Sequence, residues 1–215
     1  MRKRNEKTPV AVEGIPFILG SAALTALFAA LCWLIPAIFA GFLTLFIVYF
    51  FRNPERVPPQ DERAVVAPTD GTIIYVGNSL EEHLGEEMTK ISIFMSVFNV
   101  HVNRVPFSGR VLDAFYVRGK FLDARHGRAS FENEQKGIVL EVANGAKIVF
   151  VQIAGLIARR IVCYAEKGDQ LIRGERYGLI RFGSRVDVYL PVNSEVRVAV
   201  GDKTVAGETV LGYLQ

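Results

Sequence analysis

Charge of one sign, cysteine and histidine are all scarce in this sequence. Its 25 basic and 22 acidic residues leave a formal net charge of only +3 over 215 residues. No electrostatic footprint for nucleic acid stands out, and no nucleic-acid partner is expected. There are two cysteines. Cys32 lies in an apolar run and Cys163 in a distant strand-like segment, which argues against a disulfide framework and fits a reducing compartment. The three histidines, His83, His101 and His126, show no zinc-ligand spacing, and no metal is expected. Also missing are a G-x-S-x-G elbow, a P-loop and a G-x-G-x-x-G turn after a strand.

Hydrophobicity, by contrast, is in excess, at 50% of residues. It has one source: the 38 residues from Gly14 to Phe51 carry no charge. One bilayer crossing takes about 20 apolar residues, so the run is too long for one span and nearly long enough for two. Pro36, near its middle, predicts a break. Two short helices follow, about 15–34 and 37–51, as a membrane-anchoring hairpin within residues 1–51. A re-entrant or interfacial pair and a buried core pair are the alternatives. The run is longer than the apolar core of a signal peptide. Basic flanks, "MRKRNEK" and "FRNPER", place both ends on the cytoplasmic side of the cell membrane.

"RNPERVPPQDER" (52–63) reads as a Pro-rich linker. Beyond it, over 64–215, the pattern turns to period two. Strands are expected at 72–76, 90–97, 110–117, 138–142, 146–154, 158–164, 185–190 and 195–200. They alternate poorly with helical patterns, which disfavours a doubly wound α/β fold. The expected fold is mainly β (α+β): the apolar helical hairpin, then a compact barrel-like β domain. "GKFLDARHGRASFENEQKG" (119–137) is the least strand-like part and should be a long loop or a short helix, of the kind that carries function. "KGDQLIRGERYGLI" (167–180) resembles "VGDKTVAGETVLGYL" (200–214) at an offset of 33. The pattern occurs in lipoyl-like β domains, and also wherever two similar Gly-Asp turns are used.

Three residue types remain for chemistry: Asp70 in "APTDGTI", His101 in "FNVHVNRVPFSG" and Ser184 in "RFGSRVD". Each has an ordinary reading, as a turn, an inward-facing imidazole and a strand hydroxyl. Spacing alone does not make them converge. Gly183-Ser184 is the odd pair, since it interrupts a strand pattern with no hairpin to form. A serine hydroxyl can attack the carbonyl of the residue before it, and a preceding glycine leaves that carbonyl uncrowded and tolerates strain. The resulting ester can break by β-elimination to leave a pyruvoyl group at residue 184, an electrophilic carbonyl made from the chain itself. A membrane-anchored serine hydrolase using Ser184, His101 and Asp70 and a non-enzymatic lipoyl-like module are the rival readings.

The ordered motifs "FFRNPER", "APTDGTI", "FMSVFNVHVNRVPFSGRV", "ASFENE", "VQIAGLIARRIV", "KGDQLIRGERYGLIRFGSRVDVYLP" and "VGDKTVAGETVLG" resemble the phosphatidylserine decarboxylase proenzymes of the short bacterial and archaeal type. The resemblance implies self-cleavage into a β chain, 1–183, and an α chain, 184–215. These remain together as a heterodimer, with a higher oligomer left open. It also implies a pyruvoyl cofactor from Ser184, with no pyridoxal phosphate and no metal. The substrate amine would form a Schiff base there, and phosphatidylserine would become phosphatidylethanolamine and CO2.

Two departures stand out. Longer relatives carry L-G-S-T where this chain has Phe182-Gly183-Ser184-Arg185, and a second histidine where this chain has Arg104. The base for self-cleavage is therefore left between His101 and Asp70, with His101 also the candidate proton donor for decarboxylation. Arg159 and Arg160 are candidates for the lipid phosphate, and Glu132 and Asn133 for the pocket.

Overall fold

The computed structural model describes residues 8–156, 160–181 and 183–215. The chain divides into two units, one of residues 4–55 and one containing residues 56–215. In the first, α1 (Ile15–Ala30) and α2 (Leu34–Phe50) form an antiparallel pair. The break falls earlier than Pro36 suggests, at Leu31–Trp33, where Cys32 takes a φ of 56°. Pro36 sits instead in the first turn of α2, where its missing N–H has no intrahelical partner to lose. Thr25 and Thr44 face each other across the pair with hydroxyl oxygens 3.2 Å apart. Leu19, Leu27, Leu34, Phe39, Phe42 and Leu45 are exposed. Helices apolar on every side fit lipid, with small and hydroxyl residues between them. The apolar helix Val12–Ala30 is long enough by composition to cross a membrane, and Leu34–Phe50 is shorter, at 17 residues.

The second unit is β-rich. Its strands are β1 (Ala64–Val66), β2 (Gly71–Glu81), β3 (Glu86–Met95), β4 (Val102–Arg104), β5 (Gly109–Val117), β6 (Gln135–Glu141), β7 (Lys147–Ile153), β8 (Ile161–Cys163), β9 (Gln170–Leu171), β10 (Arg176–Ile180), β11 (Ser184–Leu190), β12 (Glu195–Val196), β13 (Lys203–Thr204) and β14 (Val210–Tyr213). One curled half-barrel of eight strands has the order β13-β2-β3-β11-β7-β6-β5-β9. Two three-stranded sheets, β1-β14-β12 and β4-β10-β8, accompany it. The mainly β expectation holds, and six of the eight expected strands overlap elements of seven residues or more; 195–200 is a strand only over Glu195–Val196. The remaining one, 158–164, is described as a strand only over Ile161–Cys163. The 119–137 segment is a loop with one short helix, α3 (Ala129–Glu132), before β6 begins.

The half-barrel buries both of its faces. Ile73, Ile91, Ile93, Ile138, Leu140, Ile148, Phe150, Tyr177, Val188 and Leu190 fill one. Met88, Val139, Val149, Val151, Ile153 and Tyr189 pack on the other. That is why "KIVFVQI" reads as a nearly unbroken apolar run. Burial forces the Tyr177 and Tyr189 phenols far above their ordinary pKa, keeping both neutral. β11 lies between β3 and β7 and has no free edge. Residues 56–63, the end of the Pro-rich segment, are held on this unit: Arg173 donates to the carbonyls of Pro59, Asp61 and Ala64 at 2.6–2.7 Å.

An internal duplication organises the unit, and it is larger than the repeat visible in the sequence. β5 repeats β2 at an offset of 38, and 167–180 repeats 200–213 at 33. Gly71 pairs with Thr204 as Gly109 pairs with Leu171. Ile73 N–H donates to Asp202 O, and Val111 N–H to Asp169 O, both at 2.9 Å. Each long strand has its register shift at the same place, Ile73/Tyr75 and Val111/Asp113.

Candidate active site around Gly183 and Ser184

Ser184 opens β11, the central strand, paired with Met95 of β3. It is fully buried, and its hydroxyl has no hydrogen-bond partner among the described residues. An unsatisfied buried hydroxyl costs about 1–3 kcal/mol, and such costs persist where function uses them. Gly183 has φ +59°, in the left-handed region. A side chain there would be strained. The Gly183 carbonyl, the one next to the Ser184 hydroxyl, lies against Gly155: a Cβ on Gly155 would stand 2.0 Å from that oxygen. Gly155 leaves room for the carbonyl to sit where it does. Met95, Ala154, Ile180 and Val186 form the apolar floor.

Asp70 precedes β2. Thr72, Phe94 and Arg185 form one row across β2, β3 and β11. Asp70 therefore lies at the same end of the sheet as Gly183. It is two strands away, about 10 Å at the usual strand spacing. Its carboxylate receives Arg56 Nη2 at 3.2 Å and the backbone N–H of Ala206 at 2.8 Å. Arg56 also reaches Glu208 at 3.7 Å. The duplicated turn has Ser108 in place of Asp70, and Arg173 N–H donates to its Oγ at 2.9 Å. Arg56 sits in the stretch read from sequence as linker, so its place beside Asp70 is legible only in three dimensions.

His101 is buried just before β4, with Nδ1 2.9 Å from the Asn99 carbonyl. Its own carbonyl receives Ile180 N–H at 3.4 Å, three residues before Gly183. A polar chain links this strand to the serine strand's neighbours. Gln152 Nε2 donates to Asn103 Oδ1 at 2.7 Å, and Asn103 Nδ2 approaches Met95 Sδ at 3.7 Å. Thr69, next to Asp70, also directs its hydroxyl at Met95 Sδ. Ser184 and Thr69, the neighbour of Asp70, thus both meet Met95, and Asn103, two residues beyond His101, approaches the same sulfur. Arg104, where a second histidine was considered, is buried and donates to the Gly174 carbonyl at 2.8 Å.

The remaining sequence candidates divide. Asn133 is fully buried and braces the loop, bonding Leu122 and the Ala154 carbonyl at 2.7–2.9 Å. Glu132 pairs with Lys120 and Arg128, and hydrogen bonds from those two cations hold its carboxyl below the usual range. Arg160 is exposed and precedes β8, so strand alternation does not set its direction. Arg159 lies outside the described residues.

In the sequence Arg185 reads only as a departure. It occupies the outer face of β11 and pairs with the fully buried Asp187 at 2.8 Å. It also bonds the carbonyls of Ala124 and His126 and the Ser130 hydroxyl. Lys90 Nζ completes the cluster, 3.1 Å from Asp187 and 2.7 Å from Ser130. The cluster ties the strand that begins at Ser184 to the 119–134 loop. Among the described residues, no group of three or more His, Cys, Asp or Glu side chains is placed to hold a metal.

A family model described as phosphatidylserine decarboxylase matches residues 43–212. Proteins named phosphatidylserine decarboxylase proenzyme are similar over nearly the whole chain. The one from Geobacter metallireducens is 67% identical, over 98% of this chain and 99% of its own. That from Geobacter sulfurreducens is 66% identical over the same shares, and that from Geotalea uraniireducens 65%. The motif order, the curled sheet and the buried Gly-Ser junction thus meet a match covering most of the sequence: the chain belongs to the phosphatidylserine decarboxylase family.

Proposed function

We propose that this protein is a self-processing, pyruvoyl-dependent decarboxylase that converts phosphatidylserine to phosphatidylethanolamine and CO2 at the cytoplasmic face of the membrane. The observation that carries the proposal is the junction itself. A buried hydroxyl without a partner among the described residues follows a glycine at positive φ, in a family whose relatives are named proenzymes. A residue that must become a ketone fits this site, because the hydroxyl holds nothing else in place.

Processing follows from the chain's own atoms. Ser184 Oγ adds to the Gly183 carbonyl carbon, and the peptide C–N bond breaks as its nitrogen takes a proton. An ester now joins the two residues. Loss of the Ser184 α-proton expels the Gly183 carboxylate and leaves dehydroalanine at 184. Hydrolysis of that residue releases ammonia. Asp70, ion-paired with Arg56, and His101 are groups at this end of the sheet that can take or give protons. The duplicated turn supports a role for Asp70 beyond capping, since Ser108 caps its copy without a charge.

The pyruvoyl group supplies an electrophilic carbonyl that accepts the electrons left when an amine-bearing acid loses CO2. His101 would return the proton. The apolar floor of Met95, Ala154, Ile180 and Val186 excludes water. The α chain would retain β11, the central strand, together with β12 to β14, so cleavage would leave the two chains interleaved. A segment of 32 residues is too short to hold a core alone.

Intact-protein mass spectrometry tests the reading. Native protein should give fragments 1–183 and 184–215, the second with a pyruvoyl end. Ser184→Ala should give one chain and no decarboxylation. A single chain from the native protein would overturn it.

A further inference from the structure

The half-barrel has two unlike ends. At the end where β11 begins, β3 leaves through 96–101, β7 through 154–156 and β5 through 118–134. These loops expose Phe98 (65%) and Leu156 (64%). Phe98 is presented on a braced turn, in which Asn99 Oδ1 accepts from both the backbone N–H and the hydroxyl of Ser96 at 2.8–2.9 Å. Leu156 follows Gly155, which touches the Gly183 carbonyl. Arg118, Lys120, Arg125, Arg128, Arg160 and Arg181 outnumber Asp123, Glu132 and Glu134 there. At the opposite end of β3, β7 and β11, the balance reverses. Glu81, Glu82, Glu86 and Glu87 crowd the turn before β3, where Lys147 pairs with Glu86. Leu80 and Val192 are exposed there too, but in a field that repels anions.

We infer that the Ser184 end is a docking surface for an anionic lipid bilayer, with Phe98 and Leu156 as apolar tips and the surrounding arginines and lysines meeting the headgroups. Apolar tips inside a basic ring fit a negatively charged interface, and long basic stems can lie along it. The purpose of this surface rests on the lipid-substrate reading above, since it puts the bilayer at the mouth of the Gly183–Ser184 site. Its geometry stands on exposure and charge alone.

The test uses full-length protein with Cys32→Ser, carrying Phe98→Cys, Leu156→Cys or Val192→Cys, each labelled with an environment-sensitive dye. Cys163 is the remaining native thiol, and burial raises its pKa; parent protein without an added cysteine reports background labelling. The protein is reconstituted into phosphatidylcholine vesicles, with or without phosphatidylglycerol, containing a lipid-borne quencher. Positions 98 and 156 should be quenched several-fold more than 192, and more so with the anionic lipid at low salt. Equal quenching at 98, 156 and 192, or none at 98 and 156, would overturn the inference. So would quenching indifferent to phosphatidylglycerol. A dye shift that needs no vesicles and grows with protein concentration would also overturn it, in favour of a second copy of the chain. Position 156 keeps the test open should Phe98→Cys not fold. The dye reads docking whether or not the protein decarboxylates lipid, so failure of the enzymatic reading is seen separately.

Discussion

The turn at Asp70 and the turn at Ser108 share a frame. In each, a side-chain oxygen accepts a backbone N–H from the partner turn, at 2.8 Å from Ala206 and 2.9 Å from Arg173. In each, the following glycine opens a long strand with its register shift in the same place. Serine therefore suffices for the structural task. Only the first copy adds a carboxylate, a guanidinium partner in Arg56 and a neighbouring strand that leads, one strand further on, to Ser184. The duplicated copy works as an internal control: what Asp70 has beyond Ser108 is available for chemistry.

The sharpest way to break this comparison is to remove the charge from one copy and the cap from the other. Asp70→Asn should slow self-cleavage by about 100-fold or more if the carboxylate moves or orients a proton, in a gel time course. Ser108→Ala should leave cleavage unchanged and cost about 1 kcal/mol of stability. Equal effects in both assays would reduce Asp70 to a cap.

Gly155→Ala comes next. Its methyl would meet the Gly183 oxygen, and the strain should cost about 1–3 kcal/mol, with slower cleavage as the carbonyl shifts. Thermal melts beside mass spectrometry separate the two effects. Arg56→Gln should slow cleavage about tenfold, or about 1.4 kcal/mol in barrier, because Asp70 keeps its Ala206 contact but loses its counter-ion.

The smallest effect belongs to Asp113, the β5 counterpart of Tyr75. A hydrogen bond from His83 at 2.9 Å is the first cause holding its carboxyl below the usual range. A depressed carboxylate adds stability above its unfolded pKa of about 4 and loses it as pH falls through the folded value. Asp113→Asn should therefore melt with a slightly flatter pH dependence between about pH 5 and 3. The side chain is well exposed, so the change should be small.

Much of this was legible in the residues. The charge-free run from Gly14 to Phe51 required apolar surroundings. Period two beyond residue 70 required sheets. Ordered motifs pointed to Gly183, Ser184, Asp70 and His101. The short strands β1, β4, β9, β13 and β14 were not legible, since two to four residues show no period. Arg56 reads as linker because a polar, Pro-rich stretch looks the same whether it is free or ion-paired. Arg185 and Asp187 read as the polar face of a strand, yet both are buried under the 119–134 loop.

The sequence by itself determined which segments are apolar, which are extended and where a Gly-Ser pair interrupts a strand pattern, because those properties depend on near neighbours. Only the tertiary structure decided that Ser184 opens a central strand with its hydroxyl buried, that Gly155 makes room for the Gly183 carbonyl and that Arg56 answers Asp70. These are meetings of residues far apart in the chain, and packing, not local preference, brings them together.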